Sequence, residues 1–304
     1  MERRIYYGEI ACEATKRNGT PCSNHAYYIG AKGYLCGVHA GSGRKLLPKN
    51  PQAAAVRGRA LADHARAVEE AAADNRRADR PGRVVCQKMR MMRNPELIPG
   101  TLNVFPNFRH ENRADGLGLS ALSPMKIGPI NHGQPGLPPA RNLENFHQGN
   151  KVYSGEVDEA GAPSQVFRDA QRRMYEDAVP HRHKRVAGDS NRLLYSVWRT
   201  RDGAEHRITY IESRQFYCTF YEGALLGGNA PAAEAFARLT EMVRKGYNLC
   251  ICGYDAFQPS TALDTHYLDP TRPFGHELVL YSMLTLTADY YPWRRAANPA
   301  YWPN

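Results

Sequence analysis

The chain has 304 residues, 42% of them hydrophobic, a formal charge of +10 and a pI near 9.3. That is enough apolar residue to close a core, and no run approaches the roughly 20 consecutive apolar residues of a membrane span, which argues against both a disordered and a membrane-embedded chain. No apolar signal core follows Met1, and three of the seven cysteines crowd beside histidines in the first forty residues, so metal ligation in a reducing, intracellular compartment is expected rather than a disulfide framework.

Residues 1–47 are rich in Cys, Gly and Tyr and lack apolar periodicity, so metal rather than a hydrophobic core must order them. Nine residues separate Cys12 from Cys22, thirteen separate Cys22 from Cys36, and two separate Cys36 from His39. Three thiolates and an imidazole are a structural zinc set of the CCCH type, with Cys36-Gly-Val-His39 as a tight knuckle. The first spacing is wide, so a hairpin between Lys16 and Pro21 must bring the thiolates together. His25 is an alternative fourth ligand, and the competing reading is three unpaired cysteines in a small core. The stretch resembles small zinc-binding modules appended to viral and bacterial proteins, which implies a closed, non-catalytic site.

Residues 48–94 read as a basic helical linker or arm. Between Ala40 and Arg93 there are thirteen Lys or Arg against five Asp or Glu, which accounts for most of the excess charge. After Pro48-Lys-Asn-Pro51, the Ala-, Arg- and Glu-rich run from Gln52 to about Arg80 predicts a long helix with a thin apolar stripe of Val56, Ala60, Ala67 and Val68. Such a helix lies on the surface or waits for a partner.

Residues 95–304 read as an α+β (or α/β) domain. Pro95 to Pro139 carries turn residues and predicts irregular connections. Short helices are expected at Asn142 to Val152, capped by Asn142, and at Val166 to Asp177. Leu193 to Thr200 and His206 to Ile211 predict a hairpin turning at Asp202-Gly. Helices follow at Ser213 to Leu226 and Pro231 to Lys245, then a buried strand at Tyr247 to Tyr254 and a helix at Gly275 to Leu286. Cys250 and Cys252 share a face of that strand; core packing is the default reading, and a metal shared with Cys218 or His276 the alternative.

On the first of these helices Glu144, Gln148 and Lys151 fall at i, i+4 and i+7, aligning an acid, an amide and an amine beside His147. The competing reading is a solvated charged face. Gly149 costs about 1 kcal/mol in a helix interior, and admitting a ligand is one reason to keep it.

Leu119-Ser-Ala-Leu-Ser-Pro-Met125, followed by Glu144-Asn-Phe-His-Gln148-Gly-Asn-Lys151, resembles the NADAR family, whose members carry Ser-Asn-Phe and then Glu-His-x-x-Gln-x-x-Lys. The similarity continues into Tyr254-Asp255-Ala-Phe257. Ala121-Leu122 stands where the family has Asn-Phe, and Phe257-Gln258 where it has Trp-Gly. The resemblance implies N-glycosidase chemistry on a ribosylated base or ADP-ribose-like nucleotide; on that reading the candidate catalytic groups are Glu144, Lys151 and Asp255, and the candidate substrate-binding residues are His147, Gln148, Arg214 and Tyr254. Cleaving an N-glycosidic bond builds positive charge on the sugar, which a carboxylate stabilises while a second group protonates the departing base. Lys151 suits either a Schiff base or a phosphate contact. Arg214 is a second phosphate ligand, or a surface partner of Glu212 or Glu222. His276-Glu277 reads first as helix capping and packing, and second as a base.

His181, Arg182, His183 and Lys184-Arg185 form a cationic cluster which, with Arg76-Arg77 and Arg80, suits a phosphate backbone; a solvated face is the alternative. The competing function is therefore a zinc-containing nucleic-acid-binding or virion assembly protein with no enzymatic activity. The aromatic tail, Tyr290-Tyr-Pro-Trp293 and Tyr301-Trp302, would there dock onto a protein partner. The general style of the chain resembles uncharacterised proteins of large DNA viruses.

Overall fold

The computed structural model describes residues 5–90, 94–184, 192–259, 262–298 and 301; Arg93, Arg185 and Trp302 of the expectations above lie outside them. Contacts divide the chain into two compact units, Met1–His64 and Ala65–Asn304. Among the described residues no helix is long and apolar enough to cross a membrane.

In the first unit, β1 (Tyr28–Gly30) pairs antiparallel with β2 (Gly33–Leu35) and with β3 (Lys45–Leu46). The apolar cluster around this sheet is Cys12, Cys22, Leu35, Cys36 and Ala40, with Ala14 and Tyr28 against it. So little buried area cannot offset the entropy of ordering the segment. The boundary between the units falls inside α1 (Pro51–Arg77).

The predicted arm is therefore not a separate body. The last turn of α1 is built into the second unit: Asn75 Nδ2 donates to Gly246 O at 2.8 Å, and Arg76 donates to Lys245 O at 3.1 Å while lying over the Tyr247 ring. Arg77 pairs with Asp74, and Arg80 is exposed.

The remaining elements are β4 (Val84–Lys88), β5 (Thr101–Phe105), β6 (Leu117–Gly118), α2 (Leu143–Gly149), β7 (Lys151–Tyr153), α3 (Gln165–Glu176), β8 (Leu193–Arg199), β9 (Glu205–Ile208), α4 (Tyr210–Gly223), α5 (Ala230–Arg244), β10 (Asn248–Gly253), α6 (Leu263–Leu268), α7 (His276–Thr285) and α8 (Pro292–Arg295). The fold is α+β. One sheet runs β4-β10-β5-β6 with every pairing parallel; the other, β7-β8-β9, is antiparallel. The sequence reading missed β4, β5 and β6, having placed them in the arm and in the turn-rich stretch.

β10 lies between β4 and β5, and its alternation divides the interior. Leu249 and Ile251 face the main core with Val84, Val104 and Leu278, whereas Cys250 and Cys252 face a smaller cluster with Met89 and Phe105. Cys252 Sγ lies 3.8 Å from Cys250 Sγ, but Cys218 lies in the main core and does not join them, so these cysteines pack.

Local chemistry sets several boundaries. Thr209 and Glu212 form a capping box, which starts α4 three residues before the predicted Ser213. The aromatic tail folds inward rather than outward: Trp293 is fully buried, donates to Glu222 Oε2 at 2.7 Å and stacks on Tyr291, leaving Tyr290 exposed.

Candidate functional sites

In the first unit, Cys12, Cys22, Cys36 and His39 place their ligand atoms within 4.8 Å of one another. His39 Nδ1 lies 3.4 Å from Cys12 Sγ and 3.3 Å from Cys36 Sγ, and Cys22 Sγ lies 4.0 Å from Cys36 Sγ. The wide first spacing is closed as expected: Lys16 N donates to Thr20 O at 2.8 Å, and Thr15 bridges Pro21. In the knuckle, the amides of His39 and Ala40 both reach Cys36 O. Burial raises the Cys36 thiol, but hydrogen bonds from the His39 and Val38 amides and the Asn24 side chain outweigh it and bring its pKa down to about 6. A thiolate, the ligating form, is thus favoured before any ion arrives. The set is compatible with one metal ion, and among the described residues no other group of His, Cys, Asp or Glu converges in this way; His25 is not part of it.

In the second unit, one cavity of about 350 Å³ opens at the carboxyl ends of the parallel strands. Parallel sheets bind ligands there because the loops leaving the strands diverge and their amides and side chains point into the gap. Asn107 and Phe108 follow β5, and Tyr254 and Asp255 follow β10. Glu144, His147 and Gln148 of α2, and Tyr210, Arg214 and Tyr217 of α4, form two walls. His276 and Glu277, at the start of α7, lie buried in it, while Asp255, Arg182 and His183 are exposed.

The predicted row is present, but not on one helix. α2, capped by Asn142 Oδ1 accepting from Asn145 N at 2.8 Å, ends at Gly149, and Lys151 opens β7. The side chains still connect: Lys151 Nζ donates to Gln148 Oε1 at 3.1 Å, and Gln148 Nε2 donates to Glu144 Oε1 at 3.0 Å. Burial lowers the Lys151 pKa against the pull of Glu144. Lys151 is not among the residues lining the cavity, so its amine acts on the row from behind. Burial, helped by the charges of Lys151 and Arg214, pushes the His147 pKa well down and leaves a neutral imidazole. Burial, then the Glu144 and Glu277 carboxylates, pushes the Tyr217 pKa well up, so its hydroxyl stays protonated.

Four expectations change. Gly149 does not make room for a ligand: a Cβ there would lie 2.7 Å from the Tyr175 ring, so the glycine admits α3. Arg214 is buried and pairs with neither Glu212 nor Glu222; its guanidinium donates to the carbonyls of Tyr267, Asp269 and Arg272, which fixes that loop against α4. The cationic cluster is not one exposed patch. His181 pairs with Asp177, Arg182 and His183 line the cavity, and Lys184 is buried on Glu156. Finally, no side chain caps α7, so of the capping-and-packing reading of His276 and Glu277 only the packing part stands, both being buried.

Asn145 holds the segment that carries Arg182. Its Nδ2 donates to the carbonyls of Asp177 and Val179, and its Oδ1 accepts from His181 N. Of the groups around the cavity, the sequence points to Glu144, His147, Gln148, Arg182, His183, Arg214, Tyr254, Asp255, His276 and Glu277; it gives no sign of Asn107 and Phe108, which follow a strand specified by its partner. No protein-family model, curated protein or solved structure matches this chain.

Proposed function

We propose that the cavity is an active site of N-glycosidase type, cleaving the bond between a sugar and a nitrogenous base in a nucleotide-like or ADP-ribose-like substrate. The observation that carries this reading is that Glu144 and Asp255, brought from a helix and from the end of a distant strand, line one cavity walled by Phe108, Tyr217 and Tyr254. The carboxylates suit the cationic character that develops on the sugar, and aromatic rings suit a base. Arg182, 5.9 Å above the Tyr254 ring, and His183 suit phosphates at the mouth. Gln148, braced by Lys151, orients Glu144.

The metal of the first unit is, in this reading, a structural zinc ion. Tetrahedral zinc with Zn–S of about 2.3 Å and Zn–N of about 2.0–2.1 Å has S···N edges of about 3.5 Å and S···S edges of about 3.8 Å, close to the separations of His39 from Cys12 and Cys36 and of Cys22 from Cys36. The four ligands leave no open position for chemistry. Such a thiolate site and a nucleotide-like substrate fit an intracellular protein.

The test is release of free base from ribosylated and ADP-ribosylated bases by the full chain, followed chromatographically. Glu144→Gln and Asp255→Asn should each lower turnover at least about 100-fold without lowering the unfolding midpoint. Absence of release across that substrate class would sink the proposal.

A further inference from the structure

Glu277 is 3% exposed and His276 8% exposed, yet both line the cavity. One hydrogen bond and one close ion-pair contact constrain where their protons can sit. His276 Nε2 lies 3.2 Å from Pro106 O, and a carbonyl oxygen only accepts, so Nε2 carries a hydrogen. His276 Nδ1 lies 3.1 Å from Glu277 Oε2. A proton bound by the pair would sit between these two atoms. The dyad abuts Asp255: a Cβ built on Gly275 would lie 3.0 Å from Glu277 Oε2 and 3.7 Å from Asp255 Cβ. Gly253 makes the seat, since a Cβ there would collide with the Glu277 carboxylate.

We infer that His276 and Glu277 form the proton donor of the site, Glu277 being the catalytic acid and His276 the positioning residue that stores its proton. The inference rests on the glycosidase reading and assigns the one role that reading leaves open. As the sugar–nitrogen bond breaks, its electron pair goes to the base nitrogen, which takes the shared proton. Water adds its hydroxyl to the sugar carbon and gives its proton to Asp255, which is open to solvent. Exchange with bulk water then restores Asp255 and the dyad, so one water is consumed and one free base leaves.

The test compares two ribosides on the full-length protein: one with a natural base, and one with a nitrophenolate leaving group that departs unprotonated. With Glu277→Gln the natural substrate should lose about 100- to 10,000-fold in kcat while the nitrophenyl riboside loses less than about tenfold. His276→Asn should show the same split, more weakly. Retained turnover of the activated substrate also certifies that each variant folds. Nitrogen-15 spectra of His276 give a readout independent of turnover: a protonated Nε2 in the wild type, and a bare Nδ1 in Glu277→Gln. Equal losses on both ribosides, or a bare Nε2, overturn the dyad while the glycosidase reading stands. If the wild type cleaves neither riboside, the glycosidase reading fails and takes the dyad's role with it.

Discussion

The ammonium of Lys184 lies 3.1 Å from the carboxylate of Glu156, and both side chains are 1% exposed. Lys184 also donates to Lys151 O at 3.1 Å, and Glu156 Oε2 accepts from Tyr153 N, so the pair fastens the segment carrying Arg182 to β7. Removing one partner leaves a buried charge alone. Lys184→Ala should cost about 3–5 kcal/mol, and Lys184→Met combined with Glu156→Leu much less. Denaturant unfolding checks this, and a single-variant loss below about 1 kcal/mol refutes it.

Lys184 also sets a pH dependence. Burial, opposed by Glu156, lowers its pKa from 10.5 to about 8. Between those values the unfolded chain binds the proton that the folded chain has released. This group's contribution to stability therefore rises with pH from about 8 towards the ordinary lysine value, and is level below. The wild type should show that extra slope relative to Lys184→Met; parallel curves would contradict it.

One equivalent of metal per chain is expected, together with loss of order in the first unit on chelation or in Cys12→Ser. Cys36, with its pKa lowered to about 6, favours the fold above the ordinary thiol range and loses that contribution as pH falls through about 6. Protons compete with the ion for the thiolates, so acidification should release the metal. Less than about half an equivalent bound at neutral pH, with Cys12→Ser as stable as the wild type, defeats the assignment.

Gly149→Ala tests packing beside the row. Alanine favours the helix by about 1 kcal/mol, but its Cβ meets a ring that cannot turn away, because the Tyr175 hydroxyl donates to Asn150 Oδ1 at 2.9 Å and accepts from Gln134. Overpacking of about 1–3 kcal/mol should win and lower the thermal midpoint. A raised midpoint would show that α3 yields.

Lys151 braces Gln148 and lies outside the cavity lining, so Lys151→Met should lower turnover about tenfold, well short of the loss on Glu144→Gln. Borohydride added during turnover should trap no adduct on Lys151. A trapped adduct, read by mass spectrometry, would restore the Schiff-base role.

What the sequence made legible followed from local chemistry. α3, α5, α7 and β10 lie within a residue or two of their expected spans, because their periodicity and flanking Asn, Gly and Pro residues are contained in the segment itself. β4 and β5 were hidden because a five-residue strand among Arg or Pro and Asn residues is specified by its partner, here β10, far along the chain. Lys184 misled because a lysine between basic neighbours gives no sign of burial. Glu144, Gln148 and Asp255 were found by motif, whereas the proton bookkeeping of His276 depends on Pro106 O, a backbone atom that no pattern of side chains announces.

The position of β10 has a consequence for how the protein is made. The strands on either side of it, β4 and β5, leave the ribosome well over a hundred residues earlier, and among the described pairings they do not bond to each other. They must wait, the edges that will face β10 unsatisfied, until residues 248–253 slot between them. Assembly of this half of the molecule is therefore a late and slow event of synthesis, and nascent chains stalled before that point are the species in greatest need of a chaperone.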